Sequence, residues 1–295
     1  MFRKQTSYRW YFRSLVGLLW GALLWTSTGC AEVVIQPNPA LVPQGKSAVY
    51  TDADWAMVLQ NHVREGLVDY DALAQHRENL DRYYALISVT GPSRTPATFR
   101  SRPARTAYWI NAYNALVLAA VLERYPVVTM YDLSLPVLEY QYKFIADGQV
   151  LNLTSIEDRI LDESANDVRA LFALSGAALG TPELASEPIR PETLERQLAR
   201  AAARALDNPH LCQIDHADRS ILVWQKIIRR REDFLSSWRL RRRVRTAYLF
   251  NVLCDMATAE RRRGLQSAVG YQFREIPFDR KLNRYSSRPL RQTVP

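Results

Sequence analysis

Tyr108-Trp109-Ile110-Asn111-Ala112-Tyr113-Asn114-Ala115-Leu116 is the stretch whose reading decides the fold. It lies in the most apolar helix that the sequence predicts, from about Ala104 to Arg124, which Tyr125-Pro126 brings to a stop. Asn111 and Asn114 are three residues apart, so they share one face of an otherwise apolar helix. Buried amides need hydrogen-bond partners. The pair therefore either ties neighbouring loops to the helix or lines a pocket.

Outward from this helix the pattern is mixed. On its N-terminal side, Thr51 and Asp54 open a helix carrying Trp55, Val58, Leu59 and Val63 at helical spacing, which Gly66 ends. A short extended piece, Leu67–Tyr70, precedes a helix predicted from Asp71 to Ser88. On the C-terminal side, Leu138–Ile145 and Gln149–Leu153 form a hairpin across Asp147-Gly148. Thr154-Ser155-Ile156-Glu157 reads as a capping box, and Arg169–Leu174 as a buried strand. A helix follows from Pro191 to about Leu206, then strands at Leu211–Ile214 and Ile221–Val223. An arginine-rich helical stretch runs to about Arg263, and a last strand spans Tyr271–Ile276. Helices and hairpins without regular strand–helix alternation give an α+β class. The expectation is one mature domain at 51–285, its core at 100–206, with a small, mainly antiparallel sheet packed with helices.

The charge is polarised. The net charge of +9 is made of 4 basic and no acidic residues at 1–30, 17 basic and 24 acidic at 31–225, and 18 basic and 6 acidic at 226–295. The positive end is arginine-rich, and its densest run is Arg241, Arg242 and Arg243. Such a face either grips anionic groups or merely solvates a helix. The chain shows no glycine-rich phosphate loop, metal-ligand cluster or nucleic-acid motif, so no cofactor, metal or nucleic acid is expected.

Arg3, Lys4, Arg9 and Arg13 precede an apolar run from Leu15 to Trp25 and then Thr26-Ser27-Thr28-Gly29-Cys30. Basic region, short apolar core and small residues make a secretory signal. The run is well short of the ~20 residues of a membrane-spanning helix. Small residues before Cys30 resemble the lipobox of bacterial lipoproteins, although Ser27 stands where that pattern prefers leucine. Ala31 resembles the residue that sends such proteins to the outer membrane. The expected chain is thus exported, with residues 1–30 as signal, Cys30 as lipid attachment point on the periplasmic side of the envelope, a flexible Pro-containing tether at 31–50, and a tail at 286–295. Beyond Cys30 only Cys212 and Cys254 remain, expected either to pair or both to be buried.

"YWINAYNAL", followed by "YP", resembles the signature of the bacterial domain of unknown function family 547. "REGLVDYDAL", "LNLTSIEDRIL", "VRALFALSGAALGTPEL", "ETLERQLARAAARAL" and "IPFDRKLN" extend that resemblance in order over residues 52–283. It implies an α+β fold related to papain-like or transglutaminase-like cysteine enzymes. In that pattern the helix after the hairpin carries Ile-Glu-His, and the loop after the central strand carries two cysteines. Here Ile156 and Glu157 match, but Asp158 stands at the histidine, Gly176 at the first cysteine and Thr181 at the second. A thiolate mechanism needs both members of its pair.

Two functions remain from these residues. One is a non-catalytic, envelope-anchored protein that keeps the groove, with Asn111, Asn114 and Gly176 as groove-lining candidates, and binds an anionic or peptide partner or another envelope protein. The other is a hydrolase or acyl/peptide transferase with a rewired hydroxyl–carboxylate site drawn from Ser175, Thr181, Glu157 and Asp158. Against the second, serine and threonine beside glycine and proline are ordinary turn formers.

Overall fold

The computed structural model describes residues 33–43, 48–127, 129 and 141–285. The chain divides between Ala31 and Glu32, and every described residue lies on the C-terminal side of that division. Cys30, the signal region and the tail at 286–295 lie outside the described residues.

Strand β1 (Val33–Ile35) leads to α1 (Ala53–His62), the short pair β2 (Val63–Arg64) and β3 (Leu67–Val68), α2 (Tyr70–Gln75), α3 (Glu78–Val89) and α4 (Arg102–Arg124). The hairpin β4 (Tyr142–Ala146) and β5 (Gln149–Leu151) precedes α5 (Leu153–Glu163) and a 3-10 turn at Val168–Ala173. A long loop reaches α6 (Leu194–Asp207), then β6 (Cys212–Asp215) and β7 (Ser220–Val223). Four helices follow: α7 (Gln225–Arg229), α8 (Arg231–Arg242), α9 (Leu249–Met256) and α10 (Ala259–Ser267), before β8 (Gln272–Glu275).

Helix α4 is the axis of the core. The Ser101 hydroxyl accepts from Ala104 N at 3.2 Å, Pro103 fits the first turn, and every residue from Thr106 to Leu122 is buried. A helix apolar on all sides must be enclosed by other elements. Here α3, α5, β1 and β4 pack around it. No described helix is long and apolar enough to cross a membrane.

The α+β class holds, with small sheets packed against helices. The strands nevertheless form three sheets rather than one: β1-β4-β5, β2-β3 and β6-β7-β8. β1–β4 and β7–β8 are parallel. A tight hairpin makes only antiparallel pairs, so each parallel partner is supplied by a segment far away in the chain.

Local differences from the sequence reading have identifiable causes. Val33–Ile35, inside the stretch expected to be a tether, pairs with Tyr142–Phe144, and the Ile35 carbonyl accepts from the Tyr84 hydroxyl. Arg169–Leu174 is a 3-10 turn rather than a strand. A six-residue apolar run does not distinguish the two by periodicity, and the Asp167 carboxylate, accepting from Arg169 N at 3.1 Å, starts the turn. The cap of α5 is Asn152 rather than Thr154; its side-chain Oδ1 accepts from Ser155 N at 2.8 Å. The helix expected from Asp71 to Ser88 breaks at His76-Arg77, and the arginine-rich stretch is four helices, not one.

Candidate functional site

Asn111 and Asn114 face the loop that links the 3-10 turn to α6. Asn114 Nδ2 donates to the Ala173 carbonyl and Asn114 Oδ1 accepts from Ser175 N, both at 2.9 Å. Asn111 makes the same two-point bond with one residue, Ile189: Nδ2 to its carbonyl at 2.8 Å and Oδ1 from its N–H at 2.9 Å. Each side-chain amide thus replaces a strand neighbour for a buried loop. From the other side Gln197 of α6 does equivalent work, donating to the Pro188 carbonyl and accepting from Arg190 N, both at 2.9 Å. The loop is held at its start by one amide and at its end by two.

Between this clamped loop and α6 lies a pocket whose walls include Phe172, Glu183, Ser186, Ile189, Arg200 and Arg204. Ala173 and Ile189, the residues gripped by the asparagines, both line it. Asn111, Asn114 and Gly176 are not among the lining residues; the asparagines hold the walls from behind. Its lining combines apolar side chains with charges of both signs. Arg200 pairs loosely with Glu187 at 3.7 Å. Burial pushes the Glu183 carboxyl above its ordinary range, against the opposing pull of Arg204 and a hydrogen bond from Asn208. Part of that burial comes from Gly66, whose left-handed backbone (φ +80) brings the β2–β3 turn so close that an added Cβ would lie 2.5 Å from Glu183 Cβ.

The hydroxyls and carboxylates singled out by sequence fall into two separate groups. Thr181 Oγ1 donates to the Ala178 carbonyl at 2.8 Å and accepts from Gly176 N at 3.0 Å, closing the Gly176–Thr181 turn on itself. Ser175 is buried, with Asn283 Nδ2 3.5 Å from its Oγ. Asn283 is in turn held by the Tyr70 hydroxyl at 2.7 Å, so the C-terminal segment braces the loop. Glu157 is buried and paired with Lys226 and with Arg230, the latter at 3.0 Å. Asp158 is largely exposed and also pairs with Arg230 at 3.0 Å. Among the described residues, no hydrogen bond joins Ser175 or Thr181 to Glu157 or Asp158.

Positions 176 and 181 are nevertheless neighbours. A Cβ built on Gly176 lies 3.5 Å from Thr181 Cβ, the spacing of two half-cystines. Two cysteines placed here would face each other rather than a base. The two cysteines among the described residues are elsewhere and unpaired. Cys212 is buried and its thiol is pushed up to about 11 by that burial, while Cys254 is only partly buried. Neither of the two expected arrangements therefore holds for Cys254. Among the described residues no group of His, Cys, Asp and Glu is placed to hold a metal ion.

The arginine run is divided. Arg241 lies 3.8 Å from Asp167 and Arg242 pairs with Asp255, whereas Arg243 ends α8 in the left-handed conformation and is exposed.

The geometry defines a mixed α/β domain in which a central helix clamps a long loop over a pocket. A family model described as "Protein of unknown function, DUF547" matches residues 97–205. That span runs from just before α4 to the end region of α6, and so contains both asparagines, the clamped loop and Gln197. No curated protein and no solved structure matches the chain. Sequence reasoning found the asparagines but missed Gln197, Glu183, Arg200, Arg204 and Asn283. Asn283 meets partners more than a hundred positions away, and the others meet theirs through the path of an irregular loop; only an amphipathic α6 with glutamine on its buried side hinted at one of them.

Glu183 supplies a pH test. Its raised folded-state pKa means that the folded protein favours the protonated acid. The stability linked to that proton is fully present below the ordinary carboxyl pKa and is lost as pH rises through the folded value. Glu183→Gln keeps the acceptor for Asn208 without the charge. It is expected to raise the thermal midpoint at pH 7 and to make no difference below about pH 4. Equal midpoints at both pH values would show that the carboxylate is solvated.

Proposed function

We propose that this chain is a binding protein of the cell envelope, with a fold related to cysteine enzymes whose catalytic residues it has lost. Its ligand on this reading is a short peptide or related small molecule that places an apolar portion in the pocket and a carboxylate against Arg200 and Arg204. The observation that carries the reading is the state of Thr181. Its hydroxyl is committed to main-chain groups of its own turn, whereas an activated nucleophile needs a base within hydrogen-bond reach. The carboxylates that could serve as that base are paired with Lys226 and Arg230. The arginines suit the ligand because a guanidinium presents a planar fork of donors to a carboxylate.

Titration calorimetry of the full chain with short apolar peptides and with their C-terminal amides tests this. The free acids are expected to bind at least about tenfold more tightly than the amides, a difference of ~1.4 kcal/mol. Arg204→Ala should remove that preference. Equal binding of acids and amides would refute the carboxylate reading. Turnover of an ester or peptide that disappears in Ser175→Ala or Thr181→Ala would establish the rewired enzyme instead.

The envelope part of the proposal rests on the basic–apolar–small pattern that ends at Cys30. The mature protein would be tethered through lipid on that cysteine, on the periplasmic side of the outer membrane. Metabolic labelling with an alkyne fatty acid should mark the wild type and not Cys30→Ser. A label retained by the variant would contradict lipidation at this residue.

A further inference from the structure

The corner between α8 and α9 combines two features that water does not favour together. Arg239–Tyr248 contains Arg239, Arg241, Arg242, Arg243 and Arg245 and no acidic residue. The same segment exposes three large apolar or aromatic side chains: Leu240 at 68%, Val244 at 41% and Tyr248 at 66%. Val33, Val34 and Leu41 form another such group near the start of the described chain, but each is less exposed, at 36–38%, and that stretch has no arginine. Single exposed apolar residues are ordinary, but three within nine positions are not scattered. Every residue from Leu240 to Thr246 is exposed. The corner has a defined backbone. Arg243, in the left-handed conformation, ends α8, with Val244 N donating to the Arg239 carbonyl at 3.1 Å.

We propose that this corner docks on the surface of an anionic lipid bilayer, with Leu240, Val244 and Tyr248 entering the interface and the arginines meeting phosphate groups. Charge complementarity and side-chain type select this occupant. Arg243 and Arg245 have no ion-pair partner among the described residues, leaving their forks free for phosphate. Tyrosine settles at the headgroup level, with its ring in the apolar boundary and its hydroxyl in water. Arginine stems can lie along apolar surface while their heads stay hydrated. A nucleic-acid surface would use the charge but leave Leu240 and Val244 in water. A continuously exposed stretch carrying both charge and apolar side chains suits a flat bilayer interface better than it suits an acidic cleft. The inference is independent of the pocket and of lipid on Cys30.

Co-sedimentation of the purified, unlipidated full chain decides it, using vesicles of phosphatidylcholine alone and of phosphatidylcholine with phosphatidylglycerol. The basic residues near the N-terminus contribute equally to wild type and variants, so the comparison among these is informative. Arg243→Glu with Arg245→Glu should weaken binding to the anionic vesicles by about tenfold or more, and the effect should shrink as salt shortens the ~10 Å Debye length. Leu240→Ser with Tyr248→Ser should weaken the same binding several-fold and keep its salt dependence. Circular dichroism confirms that each variant is folded; if the charge reversal is not, the glutamine pair at 243 and 245 replaces it. Wild-type binding by both folded variants would overturn the proposal. So would an effect of the arginines alone, matched by an equal loss of binding to duplex DNA, since that would mark a purely electrostatic surface.

Discussion

The structure depends on how a buried loop satisfies its main-chain hydrogen bonds without a strand beside it. A buried N–H or C=O left unpaired costs about 1–3 kcal/mol. Residues 173–175 and 189 lie against the central helix, where no sheet reaches them. Two asparagines one turn apart on α4 supply four hydrogen bonds to these groups. An asparagine amide presents a donor and an acceptor side by side, as a backbone peptide does, so it can stand in for an adjacent strand. Aspartate lacks the donor and leucine lacks both. The near-complete burial of α4 makes the arrangement demanding, because water cannot substitute for a missing partner.

The clamp separates two regions with different chemical capacities. Between the loop and α6 is a pocket lined by apolar side chains together with Glu183, Arg200 and Arg204. The Gly176–Thr181 turn, by contrast, is closed by its own hydroxyl and braced by Asn283. That turn occupies the place at which the resemblance to family 547 puts two cysteines. The spacing there suits a pair of mutually bonded thiols at least as well as a thiol and its base. The carboxylates of α5 serve the α7–α8 junction, where Lys226 and Arg230 compensate the buried charge of Glu157. A buried carboxylate needs such partners to remain tolerable. Thr181, Glu157 and Asp158 thus each have partners within the fold.

Much of this was legible from residue types at short range. The all-apolar α4, its asparagines at i and i+3, the Asp147-Gly148 hairpin and the strands around residues 212 and 221 follow from local pattern. Other features were decided by contacts that no local pattern contains. Val33–Ile35 lies among prolines and polar residues, and it is a strand only because β4 offers an edge and Tyr84 a hydroxyl. Val168–Ala173 has the composition of a strand but packs against α5, α6 and α8 instead of against strands. The pocket required Gly66, Glu183 and Arg204 to meet across well over a hundred positions of chain. At the α8–α9 corner the arginine run was visible at once. The exposure of Leu240, Val244 and Tyr248 was not, because apolar residues in a helical stretch read equally well as core.

Amide hydrogen exchange at Ser175 and Ile189 tests the central claim most directly. Among the described residues, their N–H groups donate to the two asparagine side chains and to no other acceptor. If the clamp is part of the cooperative core, both amides should exchange as slowly as those in the middle of α4, and only through global unfolding. Exchange at the rate of exposed loop amides such as Ser186, with α4 still protected, would contradict the account. The loop would then open independently of the helix, and the pocket would not be a built feature of the fold.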